Sequence, residues 1–324
     1  MRPVLIAEAA VPTQSPISHV DGVGWVAAHR DEPTVIVMDE VLGSVVRVDV
    51  PTAAQRLRVS VSTRHLAVVS LDELVVCDRQ GRLIWRRELS IERAGLPCEP
   101  NCHLDTRGVL WVYLPTGDHL VAYDAVSGDE IDRVTLDSSV GAAYFWPHPD
   151  QRRLGLSVAM GQDTPLNHLT WLEDRRITGR NLPGGFLTGF TSTGDRYLAM
   201  PHDDSQISIH DLHTGKAAIT RHTADLTGHH PADRPVMEAA ALVSDRYVLL
   251  AVDTGDEHEE HLLLSTRTLT RTTDLHYGLP MTHNSVATTD GHGRWITSSH
   301  RDDTVRLWQV PDPVDAIPGQ QQLW

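Results

Sequence analysis

Short apolar runs recur along the chain, each closed by an acidic or polar residue and followed by a turn. VIVMD ends at Asp39, LVVCD at Asp78, LVAYD at Asp124, LTWLE at Glu173, ISIHD at Asp211, LLLS at Ser265 and VRLWQ at Gln309. Successive steps between these ends are 39, 46, 49, 38, 54 and 44 residues. Glycine follows the first three and the fifth of them, at Gly43, Gly81, Gly128 and Gly215. It supplies the positive φ of a tight hairpin at no steric cost. Behind those turns lie further strand-like segments: SVVRVDV, LIWRREL, EIDRVTL and KAAITRH. Upstream of each run lies one more, from WVAA and HLAVV to RYVLLA and RWITSS. Turns rich in Asp, Gly, Ser and Arg precede these, as at Asp21-Gly22, Gly194-Asp195 and Asp290-Gly291.

The pattern predicts an all-β repeat fold of four short strands per unit. Seven units fall near 17–50, 55–89, 100–136, 140–182, 185–222, 235–275 and 283–310. One small sheet cannot bury both faces, whereas sheets stacked radially about an axis can. The last unit runs into Pro311, Pro313 and Pro318 before a fourth strand. An orphan strand, Pro3–Ala7, is expected to complete it and remove an open sheet edge. The expectation is therefore a seven-bladed β-propeller over 1–310, closed by its N-terminal strand, with a tail at 311–324.

The segment 290–310, DGHGRWITSSHRDDTVRLWQV, resembles a WD40 repeat. Trp308-Gln309 stands where that family places Trp-Asp, and Asp302-Asp303 where it turns into that strand. Gly228-His229 is similar to the family's Gly-His dipeptide. Cys77, Tyr123 and His210 replace the tryptophan elsewhere, so the resemblance covers the chain in spacing but is strong in motif only in the last unit. It implies a propeller and leaves function open, because such folds host scaffolds, binders and enzymes alike.

Composition narrows the partner. The formal net charge is −15, which argues against a phosphate-tracking nucleic-acid binder and against docking on anionic lipid. Protein or peptide partners, basic ones among them, remain, as do cations. Three cysteines, Cys77, Cys98 and Cys102, form no disulfide framework and favour a reducing cytoplasm. The start reads as a strand rather than a signal peptide, because Glu8 interrupts its short apolar run.

In the WD40 resemblance, the second-to-third-strand loops and the blade-to-blade connections gather at one mouth of the channel. Three such loops share one chemistry: His29-Arg30-Asp31, His202-Asp203-Asp204 and His300-Arg301-Asp302. His283, Cys102-His103 and Glu238 begin innermost strands and point at the same mouth. Imidazoles and carboxylates gathered there suit a divalent metal or general acid–base work. His29, His202, His283, His300 and Glu238 are the catalytic candidates, with His29 and His300 the best pair across the closure. Asp31, His103, Asp203, Asp256 and Asp302 are the binding candidates, although aspartates in such turns commonly bond their own backbone. Cys98, Cys102 and His103 are weak metal candidates, because no second cysteine pair completes a structural site.

Each second-to-third loop also holds an acidic residue: Asp31, Asp72, Asp118, Asp163, Asp203, Asp256 and Asp302. No Gly-x-Ser-x-Gly elbow, phosphate loop or His-Glu-x-x-His helix occurs. The leading expectation is a non-catalytic interaction propeller, without cofactor, that binds a partner at an acidic, His-rich mouth. The alternative is a small-molecule enzyme of specialised metabolism, a lyase, isomerase or hydrolase, that uses those histidines with or without a divalent metal.

Overall fold

The computed structural model describes residues 1–54, 56–91, 99–138, 141–160, 163–200, 206–227, 236–253, 259–278, 288–299 and 302–311. At 14, 15, 160, 163, 164, 236 and 238 it describes the backbone alone. Strand β1 (Val4–Ala10) precedes the repeats. Blade one holds β2 (Thr13–Val20), β3 (Gly24–His29), β4 (Thr34–Met38) and β5 (Val45–Asp49). Blade two holds β6 (Arg58–Val61), β7 (His65–Val69), β8 (Glu73–Asp78) and β9 (Leu83–Glu88). Blade three holds β10 (Asn101–Leu104), β11 (Val109–Leu114), β12 (His119–Asp124) and β13 (Glu130–Thr135). Blade four holds β14 (Ala143–Pro147), β15 (Leu154–Met160), β16 (Asp163–Glu173) and β17 (Arg176–Leu182). Blade five holds β18 (Phe186–Phe190), β19 (Arg196–Met200), β20 (Gln206–Asp211) and β21 (Ala217–His222), and a short helix α1 (Thr223–Thr227) follows it. Blade six holds β22 (Val236–Leu242), β23 (Tyr247–Asp253), β24 (Glu259–Ser265) and β25 (Arg271–Asp274). Blade seven holds β26 (Thr288–Thr289), β27 (Arg294–Ser299) and β28 (Thr304–Gln309), with β1 as its outer strand. The fold is all-β, a seven-bladed propeller of four-stranded antiparallel sheets.

The middle strands read as unbroken apolar runs because both their faces are buried. Successive side chains of a strand point to opposite faces. Along β3, Trp25 and Ala27 join the core shared with blade seven, while Val26 and Ala28 join the core shared with blade two. Along β27, Ile296 faces blade one and Trp295 faces blade six. Among the described residues every junction between neighbouring blades has such an apolar cluster. Each fully buried Leu or Val in them contributes roughly 1.5–3 kcal/mol.

The acidic residue that ends a third strand has a local task. Asp39 Oδ1 accepts the Val41 and Gly43 amides at 3.1 and 2.8 Å. Asp78 Oδ1 accepts those of Gln80 and Arg82, both at 2.9 Å, and Asp124 those of Val126 and Ser127. Asp105 and Asp290 do the same between first and second strands. These Asx turns satisfy amides that the ladder leaves open. At Gly24, φ is 107° and a Cβ would collide with the Met38 carbonyl, so only glycine fits.

Strand β1 closes the ring. It pairs antiparallel with β28, from Val4 opposite Gln309 to Ala10 opposite Thr304. The strand runs three residues beyond the expected Ala7, because Glu8, Ala9 and Ala10 continue the pairing past an irregularity at Leu5–Ala7. The N-terminal ammonium donates to the Asp274 carbonyl at 2.5 Å and to Thr273 Oγ1 at 2.8 Å. No helix among the described residues is long and apolar enough to cross a membrane.

Candidate functional site: the mouth of the propeller

Strand pairing defines the mouth. Thr13 at the start of β2 lies opposite His29 at the end of β3, Arg58 opposite Val69, and Asn101 opposite Tyr113. The second-to-third connections and the blade-to-blade connections therefore open at one end, and the remaining hairpins at the far end.

His29 is buried beneath its own loop. Its Nδ1 accepts the amides of Asp31 and Glu32, both at 3.2 Å, which places the ring proton on Nε2. Nε2 faces Glu32 Oε2 at 3.8 Å. The lone pair a general base or metal ligand would use is held by the backbone. His300, its expected partner, lies outside the described residues, as do His202, Asp203, Asp256, His283 and Cys98. The side chain of Glu238 is likewise not described.

The described acidic candidates divide into two kinds. Asp31 is exposed, with Arg30 Nε 3.7 Å from its carboxylate, while Arg30 Nη2 reaches Asp303 across the closure at 2.6 Å. Asp302 accepts the Thr304 amide at 3.1 Å and Arg306 Nη2 at 2.9 Å. Burial pushes its carboxyl upward, but bonds from Arg306, Thr304 and Ser299 outweigh that and hold it at about 2. Asp118 departs from the expected acidic rim. It is buried and accepts the Tyr113 hydroxyl at 3.1 Å and the Ser138 amide at 2.7 Å, so it knits blade three to the following connection.

Cys102 and His103 face opposite ways on β10. The Cys102 thiol lies in the core between blades two and three, 3.8 Å from the Arg58 carbonyl oxygen. Burial pushes it up to about 12, against a weaker downward pull from Arg58. His103 turns toward blade four, its ring 6.2 Å from Phe145. Burial pushes this imidazole down to about 4, with Asp105 opposing, so it is neutral at pH 7. Nearby, Arg58 makes a forked pair with Glu99 at 3.1 and 2.7 Å, and Asn101 Nδ2 donates to the Ala143 carbonyl at 2.7 Å. Among the described residues no three His, Cys, Asp or Glu side chains converge as a metal cage.

One buried polar chain escaped the sequence reading. Trp295 Nε1 donates to the Tyr277 hydroxyl at 3.1 Å, and that hydroxyl lies 2.5 Å from His261 Nδ1. The tryptophan can only donate, and the direction of the bond between the phenol and Nδ1 follows the imidazole tautomer. His261 Nε2 faces Glu259 Oε2 at 3.2 Å, close but not aligned as a hydrogen bond. All four side chains are buried at the junction of blades six and seven. The signal was present in EEHLLLS. Residues 259 and 261 are two apart at the head of a buried strand, so they share one covered face.

No family model matches the chain, and no curated protein matches it. Solved structures do. The β-propeller domain of Cps50 (Swd1) from "Myceliophteria_thermophila" is 14% identical, with 95% of this chain and 100% of that one covered and a TM-score of 0.65. A chain of the mitotic checkpoint complex is 14% identical over 96% of this chain and 91% of its own, at 0.65. The dihydro-heme d1 dehydrogenase NirN is 19% identical over 92% of this chain and 66% of its own, at 0.55. At these identities the likeness is one of fold, and the chain is similar to WD40 propellers and to an enzyme alike.

Proposed function

We propose that this chain is a non-catalytic interaction propeller whose mouth captures a basic segment of a partner protein. The observation that carries the reading is a set of solvent-facing carboxylates at the mouth. At the far end Asp39, Asp78, Asp105, Asp124 and Asp290 are engaged by their own turns. At the mouth Asp31, Glu32, Asp72 and Asp137 face solvent. Asp203, Asp204, Asp256 and Glu257 belong to connections that join strands at the same end. A surface of one sign concentrates ligands of the other and speeds their encounter. Scaffold propellers among the structural neighbours are consistent with this use. The histidine-based alternative has less support, because His29 uses Nδ1 on its own turn.

The test is a titration with an arginine-rich peptide at two salt concentrations. The pair Asp31→Lys and Asp72→Lys is compared with Asp21→Lys and Asp129→Lys, which alter net charge equally at the far end. Reversal at the mouth should weaken binding about tenfold or more and flatten its salt dependence. Reversal at the far end should change it less than about twofold. Equal losses from both pairs would mean that net charge alone attracts the peptide and would sink the proposal.

A further inference from the structure

The junction of blades six and seven holds two titratable side chains that the proposed function does not use. Glu259 and His261 lie two residues apart at the mouth end of β24, so they share one face. Their side chains are 3% and 0% exposed. Among the described residues Glu259 Oε2 and His261 Nε2 have no hydrogen-bond partner, and they face each other at 3.2 Å. The same face of β24 continues with Leu263 into the apolar core shared with blade seven.

The groups around the pair limit the charge it can hold. Ala251 lies opposite His261 on β23, and Leu275, Trp295 and Trp308 pack nearby without a charge. The Tyr277 hydroxyl lies 2.5 Å from His261 Nδ1. Burial pushes this phenol far above its ordinary range, with Trp295 opposing and Glu259 adding, so Tyr277 keeps its proton. Half-buried Asp253 stands opposite Glu259 in the ladder and brings a further negative charge to the mouth side. A buried charge without a counter-charge is strongly destabilising. With two protons the pair is cationic and with none it is anionic. With one proton it carries no net charge.

We propose that Glu259 and His261 form a one-proton latch, which holds the mouth end of blade six against blade seven and loosens on either side of a pH optimum. The sign follows from counting protons. Solvated glutamate and histidine ordinarily titrate near about 4.3 and 6.5. Between those values the opened pair also holds one proton, so opening is independent of pH. Above about 6.5 the opened pair has lost that proton and the closed pair binds more, so the latch weakens as pH rises. Below about 4.3 the opened pair takes up a second proton, so the latch weakens as pH falls. The Leu275 amide, which donates to the His261 carbonyl at 2.9 Å, reports the opening. The latch stands whether or not the mouth binds a basic partner.

The experiment follows urea unfolding and native-state amide exchange of the full chain from about pH 4 to 8. It uses the parent, Glu259→Gln, His261→Gln and the double variant. Comparison with the parent at each pH cancels the other histidines. Without Glu259 the buried imidazole stays neutral while the opened one still protonates. Relative to the parent, the unfolding constant of Glu259→Gln should fall by up to about tenfold per unit as pH rises from about 5 to 6. Without His261 the buried carboxyl keeps its proton while the opened one loses it. The constant of His261→Gln should rise by up to about tenfold per unit over the same range. The double variant has nothing to titrate at the pair. It should fold, and the parent's advantage over it should peak between about pH 4.5 and 6.5. If a single variant does not fold, the double variant decides alone. In exchange, this pH dependence should appear at the Leu275 amide and not at the Leu89 amide, which bonds the Asp72 carbonyl at 2.7 Å in blade two. Slopes of one sign in both single variants would overturn the proposal. So would a double variant that fails to fold or differs from the parent equally at every pH, or an equal pH dependence at Leu275 and Leu89.

Discussion

Asp105 at the far end of this propeller and Asp31 at its mouth serve opposite purposes. At the far end Asp105 accepts the Arg107 and Val109 amides, both at 2.9 Å, and pairs with the Arg107 guanidinium at 2.8 Å. At the mouth Asp31 caps no turn; its loop is held instead by His29 Nδ1. An imidazole has replaced the carboxylate as the acceptor, which leaves Asp31 exposed to solvent. Residue type alone does not assign a role; the count of unsatisfied amides around it does.

That contrast presupposes an intact ring, so the largest expected effect is on closure. Deleting residues 1–10 strips β28 of its partner and opens the sheet edge that β1 covers. Aggregation is expected, or a loss of more than about 4–5 kcal/mol, larger than ordinary substitutions produce. Melting and sedimentation check this, and a monomer that melts unchanged would remove β1 as the closing element.

A matched pair of substitutions sharpens the contrast itself. Asp105→Ala leaves two amides and the Trp111 indole short of an acceptor, and should cost roughly 2–3 kcal/mol. Asp31→Ala should stay within about 0.5 kcal/mol. Urea unfolding measures both. Similar losses would mean that Asp105 and Asp31 do not differ in the way their hydrogen bonds indicate.

The smallest effect is a pH dependence. The unfolded chain protonates His103 near its ordinary 6.5, whereas the folded chain does so only near about 4. Below pH 6.5 the unfolded state therefore binds more protons, and stability falls as pH drops until the folded imidazole also protonates. Between pH 7 and 5 this amounts to roughly 1–2 kcal/mol. His103→Gln should lose that much less over the same interval in urea titrations. A variant with the same acid loss as the parent would show that His103 is not the group responsible.

Much of the fold was readable before any coordinates. The runs VIVMD, LVVCD and LVAYD, their spacing and their glycines reveal blades, because a strand between two sheets must be apolar on both faces. The fate of individual polar residues was less readable. His29 reads as an exposed ligand and is a buried acceptor; Asp118 reads as a rim charge and is a buried link to Ser138. Each depends on amides or hydroxyls supplied by a fold-specific loop, and sequence spacing carries no record of which donor arrives.

By itself the sequence determined the repeat, the count of blades, the strand left over to close the ring and the excess of negative charge. These follow from periodicity, turn chemistry and composition, which are local or additive. The packing of the blades set which carboxylates meet water and brought Glu259 and His261 beside Tyr277 and Trp295. Those arrangements join residues far apart in the chain, and they are set by how blades pack around the axis, a geometry that no single repeat encodes.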